Sequence, residues 1–186
     1  RLAETVAPSF NLLSAGVASR SVHIDQALYT PQFWQLWLNL CLNVTAGIGV
    51  IGVAKTMMGD IFAGSLPGVV DGAFAASYVT AISVANMSGR FGWASASDFL
   101  GRKNTFSTFF LLGIPLYLSV PMSAGMAVDN PGSIAPLVGF YASTMLIFTF
   151  YGGGFSTIPA YLADIFGTKY VGGIHGRLLT AWSTAG

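Results

Sequence analysis

GRFGWASASDFLGRK, residues 89 to 103, is the one place in this chain where charges of both signs gather between long apolar runs. It holds Arg90, Asp98, Arg102 and Lys103, while residues 72 to 89 before it and 104 to 128 after it carry no charge. Residues 33 to 54 and 133 to 163 are uncharged in the same way. About 20 consecutive apolar residues suffice to cross a bilayer, so the pattern predicts four membrane spans. A tight, charged, glycine-containing connection between two of them suggests a hinge or gate more than an enzyme's active centre.

Composition agrees. Of 186 residues, 53% are hydrophobic and 8% charged, against roughly 25% charged in soluble domains. Such a chain cannot cover a water-facing surface, and lipid becomes its solvent. The net charge of +1 argues against nucleic acid, which needs a basic face. Cys41, the single cysteine, excludes an internal disulfide and reads as a small apolar helix residue. His23 and His175 form no catalytic set, and metal-ligand spacing, a nucleophile elbow and a phosphate loop are all missing from the sequence. No cofactor and no enzymatic activity are expected.

Along the chain, residues 1 to 24 are rich in Ser and Ala and read as a loop. Thr30-Pro31 is a helix start, with Thr30 as cap and proline in the first turn. The first span follows at Phe33, its Trp34 and Trp37 placed where aromatics anchor a helix at the headgroups. Lys55, Asp60 and residues 64 to 68 form the expected connection to a second span, from Asp71 or Gly72 to about Ser97. The third, 104 to 128, contains Pro115 and Pro121, either of which would kink it. Residues 129 to 132, DNPG, signal a turn. The fourth span starts near Ile134 and is expected to break or bend at Gly152-Gly153-Gly154 and Pro159. Residues 164 to 173 form a short polar connection, and a fifth span opens near His175. The chain is expected to be a segment of a longer membrane protein, since it opens without methionine and stops a few residues into that span.

Lysine and arginine mark the cytoplasmic side. With the loops 1 to 30, 98 to 103 and 164 to 174 on that side, the N-terminal segment, the stretch from Gly89 to Lys103 and the segment after Asp164 hold seven of the eight basic residues, Arg90 and Arg177 counted with them, and Lys55 alone lies opposite.

Asp98-Phe99-Leu100-Gly101-Arg102-Lys103 reads DxxGRK and resembles the loop signature GxxxDRxGRK of the major facilitator superfamily, with Ala94 at its first glycine and Phe99 at its first arginine. Thr30 to Trp34, Asn43 to Gly49, Gly89 to Phe91 and Phe166 to Lys169 with His175 to Arg177 are similar to the second half of the oxalate/formate antiporter family. The resemblance covers most of the chain from Asp25 onward. It implies an all-α membrane protein of the cell membrane, multi-pass, forming part of the six-helix C-terminal half of a twelve-helix transporter. Residues 1 to 30 would be the cytoplasmic central loop and 31 to 186 transmembrane helices 7 to 10 with the start of helix 11. The partners would be the N-terminal half, the lipid bilayer and a small carboxylate.

The resemblance also implies roles. Asp98, with Gly101, Arg102 and Lys103, would form a gating loop whose carboxylate lies against the positive end of a helix in the other half; solvated capping by Asp98 and a plain positive-inside bias for the two bases are the alternative. Arg90 lies eight residues before Asp98, roughly 12 Å along the helix, which places it in the bilayer or at its edge. An intramembrane arginine is costly and marks a candidate functional site, and its fork suits a carboxylate. A guanidinium snorkelling to the interface is the other reading. Trp182 occupies the position of a second basic residue that oxalate transporters of the family carry on helix 11, which makes a monocarboxylate a better guess than a dianion. Arg177 reads as interfacial. Tyr151, one turn before Phe155, makes an aromatic wall with it, and Asn43 joins these as a substrate-binding candidate. Asn39, Thr45, Tyr78 and Asn86 are weaker candidates that helix packing would explain equally.

The reading is a secondary active transporter of a small organic anion, a mono- or dicarboxylate, working by alternating access. The alternative is a transporter-like membrane sensor that binds a carboxylate without moving it.

Overall fold

In this computed structural model, residues 21 to 186 are described, and the expectations for Arg1, Arg20 and their neighbours lie outside them. Every regular element among the described residues is a helix. Four are long: α2 (Pro31–Phe62), α3 (Gly72–Leu100), α4 (Arg102–Asp129) and α5 (Ala135–Phe166). A short α1 (Ile24–Ala27) precedes them, within a stretch read from sequence as loop, and α6 (Val171–Leu178) and α7 (Thr180–Ala185) follow.

The helix starts follow local chemistry. Thr30 caps α2, its Oγ1 accepting from the Phe33 N–H at 3.4 Å, with Pro31 in the first turn. Asp71 caps α3, Oδ1 accepting from Phe74 N–H at 2.7 Å. One residue separates α3 from α4: Gly101, at φ +83°, a conformation that a side chain disfavours. Asp98 therefore rides on the last turn of α3, and Arg102 and Lys103 open α4. The expected loop 98 to 103 contracts to a one-residue corner because glycine permits the abrupt turn. The turn at 129 to 132 is present, with Gly132 at φ +89°.

Three boundaries differ from expectation. α2 does not end at Ala54 but continues past Lys55 and Asp60 to Phe62. At 1.5 Å per residue, Lys55 lies roughly 33 Å from Phe33, beyond a hydrocarbon core of about 30 Å, so these charges ride an emerging helix at no desolvation cost. α5 runs unbroken through Gly152, Gly153, Gly154 and Pro159. The glycines are packing surfaces: an added Cβ would lie 2.0 Å from Asn86 O at Gly152, 2.6 Å from Trp93 Cβ at Gly153 and 2.9 Å from Asn43 Oδ1 at Gly154. A break at that depth would also strand backbone groups away from water. The polar connection after α5 spans only residues 167 to 170, since α6 begins at Val171.

Three helices, α2, α4 and α5, are long and apolar enough to cross a membrane. α3 is as long, with 29 residues, but its alanine, serine and glycine content and its Arg90 and Asp98 keep it less apolar, a correction to the expected four apolar spans. It needs less apolar surface because it lies against α5. α5 is the central helix: 56% of its most apolar window is buried, against 22% for α2 and 17% for α4. Trp93 of α3 fills the three-way junction, its ring 5.0 Å from Phe109 of α4 and 5.4 Å from Phe150 of α5, with Nε1 donating to Thr149 Oγ1 at 3.2 Å.

Candidate functional site

α2, α3, α5 and α7 converge on one cluster. Arg90 projects from α3 and its Nε donates to Asn86 Oδ1 at 3.2 Å, one turn back toward the middle of the helix. Its Cζ lies 5.7 Å from the centre of the Phe155 ring of α5, within cation–π range. The guanidinium is thus turned away from the Gly101 corner. Among the described residues it forms no ion pair, so its charge is left for something else to balance.

Phe155 sits edge-on between Tyr151, 5.3 Å away, and Trp182 of α7, 6.0 Å away. Tyr151 is buried, and its ring covers Gly47 of α2, where an added Cβ would approach Cδ2 to 2.3 Å. Asn43, one turn before Gly47, presents a buried Oδ1 without a hydrogen-bond partner beside Gly154. The five residues singled out from sequence therefore lie along a connected path, four of them in direct contact through Phe155 and Asn43 joined through the neighbouring glycines. Asn86 belongs with them more closely than its weak sequence signal suggested, because the i−4 position of a helix is where an arginine finds its neighbour. Tyr78 does not: it is fully buried against Phe140 and Tyr141. Thr45 returns its hydroxyl to the Cys41 carbonyl at 2.9 Å.

A second cluster holds the corner. Arg102 donates to Asp98 Oδ1 and Ser97 Oγ on α3 and, through Nε at 3.3 Å, to Asp164 Oδ2 near the end of α5. One guanidinium thereby ties three helices together. Asp164 was not legible as a partner from sequence because it lies 62 residues away. Lys103 is exposed and forms no ion pair among the described residues. Arg177 pairs with Asp25 at 3.0 Å, joining α6 to α1.

Arg102→Ala is expected to lower the stability of the intact protein by about 1 to 2 kcal/mol, since the Asp98 and Asp164 carboxylates are partly exposed and each pair is worth at most ~1 kcal/mol. Arg102→Lys should recover less than half, a single ammonium being unable to span three acceptors. Thermal melting in detergent reads both, and a melting point for Arg102→Ala equal to the parent's would refute the tie.

No family model matches the chain, and no solved structure matches it. Two curated proteins do. The chain is 28% identical over 157 residues to an uncharacterized MFS-type transporter, YhjX, of Escherichia coli (strain K12), covering 83% of this chain and 34% of that protein. It is 28% identical over 172 residues to the oxalate:formate antiporter of Oxalobacter formigenes, covering 91% of this chain and 37% of that protein. The chain thus spans about a third of the length of these relatives. Both are named as transporters, which are not enzymes. Together with the apolar helices they make this a multi-pass protein of the cell membrane. The DxxGRK corner and the all-helical topology agree with both relatives, and the chain is similar to transporters of the major facilitator type, one of them an oxalate:formate antiporter.

Proposed function

We propose that the intact protein carrying this chain moves a small organic anion across the membrane by alternating access, and that Arg90 binds the carboxylate. Residues 31 to 186 then serve as helices 7 to 10 and the start of helix 11, rocking against an N-terminal half about a central site. Residues 1 to 30, the Gly101 corner and the α5–α6 connection face the cytoplasm. The observation that carries the reading is Arg90: a cation set back from the corner, held by Asn86 and Phe155, with no acid among the described residues to neutralise it. Such a group attracts an anion, and its exposed guanidinium is free to take one.

Tyr151, Phe155 and Trp182 form the apolar side of the site, and Asn43 offers a carbonyl acceptor. With Trp182 where a second cation would compensate a dianion, a monocarboxylate fits best. Asp98 and Arg102, clamped to Asp164, bias which side is open, because any rotation of α5 against the corner must strain that clamp.

Counterflow in proteoliposomes tests the reading. Vesicles preloaded with unlabelled formate or another small monocarboxylate should transiently accumulate labelled substrate above its external concentration, while vesicles loaded with a neutral sugar should not. Labelled substrate that binds in detergent but never accumulates would sink the transport proposal.

A further inference from the structure

A cavity of about 260 Å³ lies between the first turns of α2, the first turns of α4 and the last turns of α5. It shares no residue with the Arg90 cluster. Its polar lining includes Gln32, Gln35, Asn39, Lys103 and Ser107, and no carboxylate. Ser107 is spent, its hydroxyl donating to the Lys103 carbonyl at 3.0 Å. The Gln32, Gln35 and Lys103 side chains have no partner among the described residues. Asn39 adds a buried Oδ1 that also lacks a partner. The cavity therefore offers a cation, two amide groups able to donate, and one acceptor in need of a donor.

Two further features bear on what fits. α4 begins without a side-chain cap, so the N–H groups of its first turn, where Lys103 sits, add positive potential to the same end. Trp34 and Trp37 flank Gln35 on α2 at a depth where aromatics meet headgroups. Phe106 and Phe110 continue the wall, and Phe110 is 44% exposed, so the groove opens along the apolar flank of the bundle. A free inorganic anion would use the lysine and leave the apolar wall and the Asn39 acceptor unmatched.

We propose that this groove binds the phosphoglycerol headgroup of an anionic phospholipid from the leaflet that the Gly101 corner faces. Lys103 and the amides of Gln32 and Gln35 take the phosphate, Asn39 Oδ1 accepts from a glycerol hydroxyl, and an acyl chain lies along Phe106 and Phe110. Basic pockets between helices at the cytoplasmic face commonly hold headgroups in this manner. The site is independent of the carboxylate reading.

Native mass spectrometry of the intact protein, titrated in detergent with phosphatidylglycerol, counts the bound lipid. One tightly retained phosphatidylglycerol is expected, with occupancy falling roughly fivefold or more in Lys103→Gln, the effect of one lysine near an anionic surface. Lys103→Arg should retain the lipid, and Lys169→Gln, on the α5–α6 connection outside the groove, should not alter it. Phosphatidylcholine should not compete, nor should millimolar inorganic phosphate. Undiminished occupancy in Lys103→Gln, an equal loss in Lys169→Gln, loss in Lys103→Arg despite its charge, or competition by phosphatidylcholine would overturn the site. Displacement by inorganic phosphate would assign the groove to a soluble anion and overturn the lipid assignment.

Discussion

Gly152→Leu in the intact protein is expected to cost about 3 kcal/mol or more, the upper end of what overpacking does, and to leave little monodisperse protein after extraction. The reason is backbone proximity. An added Cβ at Gly152 would stand 2.0 Å from the Asn86 carbonyl oxygen, and one at Gly89 would stand 2.2 Å from the Thr149 carbonyl oxygen. The contacts are reciprocal: Asn86 and Gly89 on α3 face Gly152 and Thr149 on α5, each pair three residues apart. Neither clash can be relieved by a side chain swinging away, so the helices must separate. In a bilayer no hydrophobic force opposes separation, and close packing of small residues is what holds helices together. Gly89→Leu should behave alike. Gly125→Ala on α4, where nothing lies within 4 Å, should be neutral or mildly stabilising, alanine being the better helix former. Size-exclusion profiles and melting curves read all three, and a Gly152→Leu protein that extracts and melts like its parent would contradict the packing.

Arg90→Ala should reduce carboxylate uptake at least about thirtyfold at unchanged expression, since removing one partner of a desolvated charge pair costs about 2 kcal/mol or more. Lysine at 90 should restore part of the uptake, because it keeps the charge and loses the two-pronged grip on a carboxylate. Arg177→Ala is the control: its guanidinium is committed to Asp25, so uptake should stay within about threefold. The comparison separates a substrate-facing cation from a general contribution of positive charge. Initial rates in proteoliposomes decide it, and uptake kinetics for Arg90→Ala that match the parent would remove the arginine from the site.

The two glycine contacts and the Arg90 surroundings share a feature: neither end of the contact is visible from the other in the sequence. Gly89 and Gly152 read as small residues and nothing more, and the triple glycine reads as a breaking point. Only the position of Asn86, Trp93 and Asn43 against α5 turns it into a packing surface. The same holds for Arg102, whose i−4 pairing with Asp98 is local and legible, while its bond to Asp164 depends on how the end of α5 reaches the corner.

By itself the sequence determined that lipid is the solvent of this chain, that its elements are helices, and where several of them begin and turn: Thr30-Pro31, Asp71, and the DNPG turn. Those features depend on transfer free energies and on bonds spanning three or four residues, both of which are written in composition and local spacing. Tertiary structure alone decided that α2 carries Lys55 and Asp60 out on an unbroken helix, that α5 passes straight through its glycines, and that Arg90 meets Phe155, with Tyr151 and Trp182 flanking that ring. The course of α5 and the surroundings of Arg90 rest on contacts between helices far apart in the chain, and their energies come from the fit of one surface on another, which no single helix encodes.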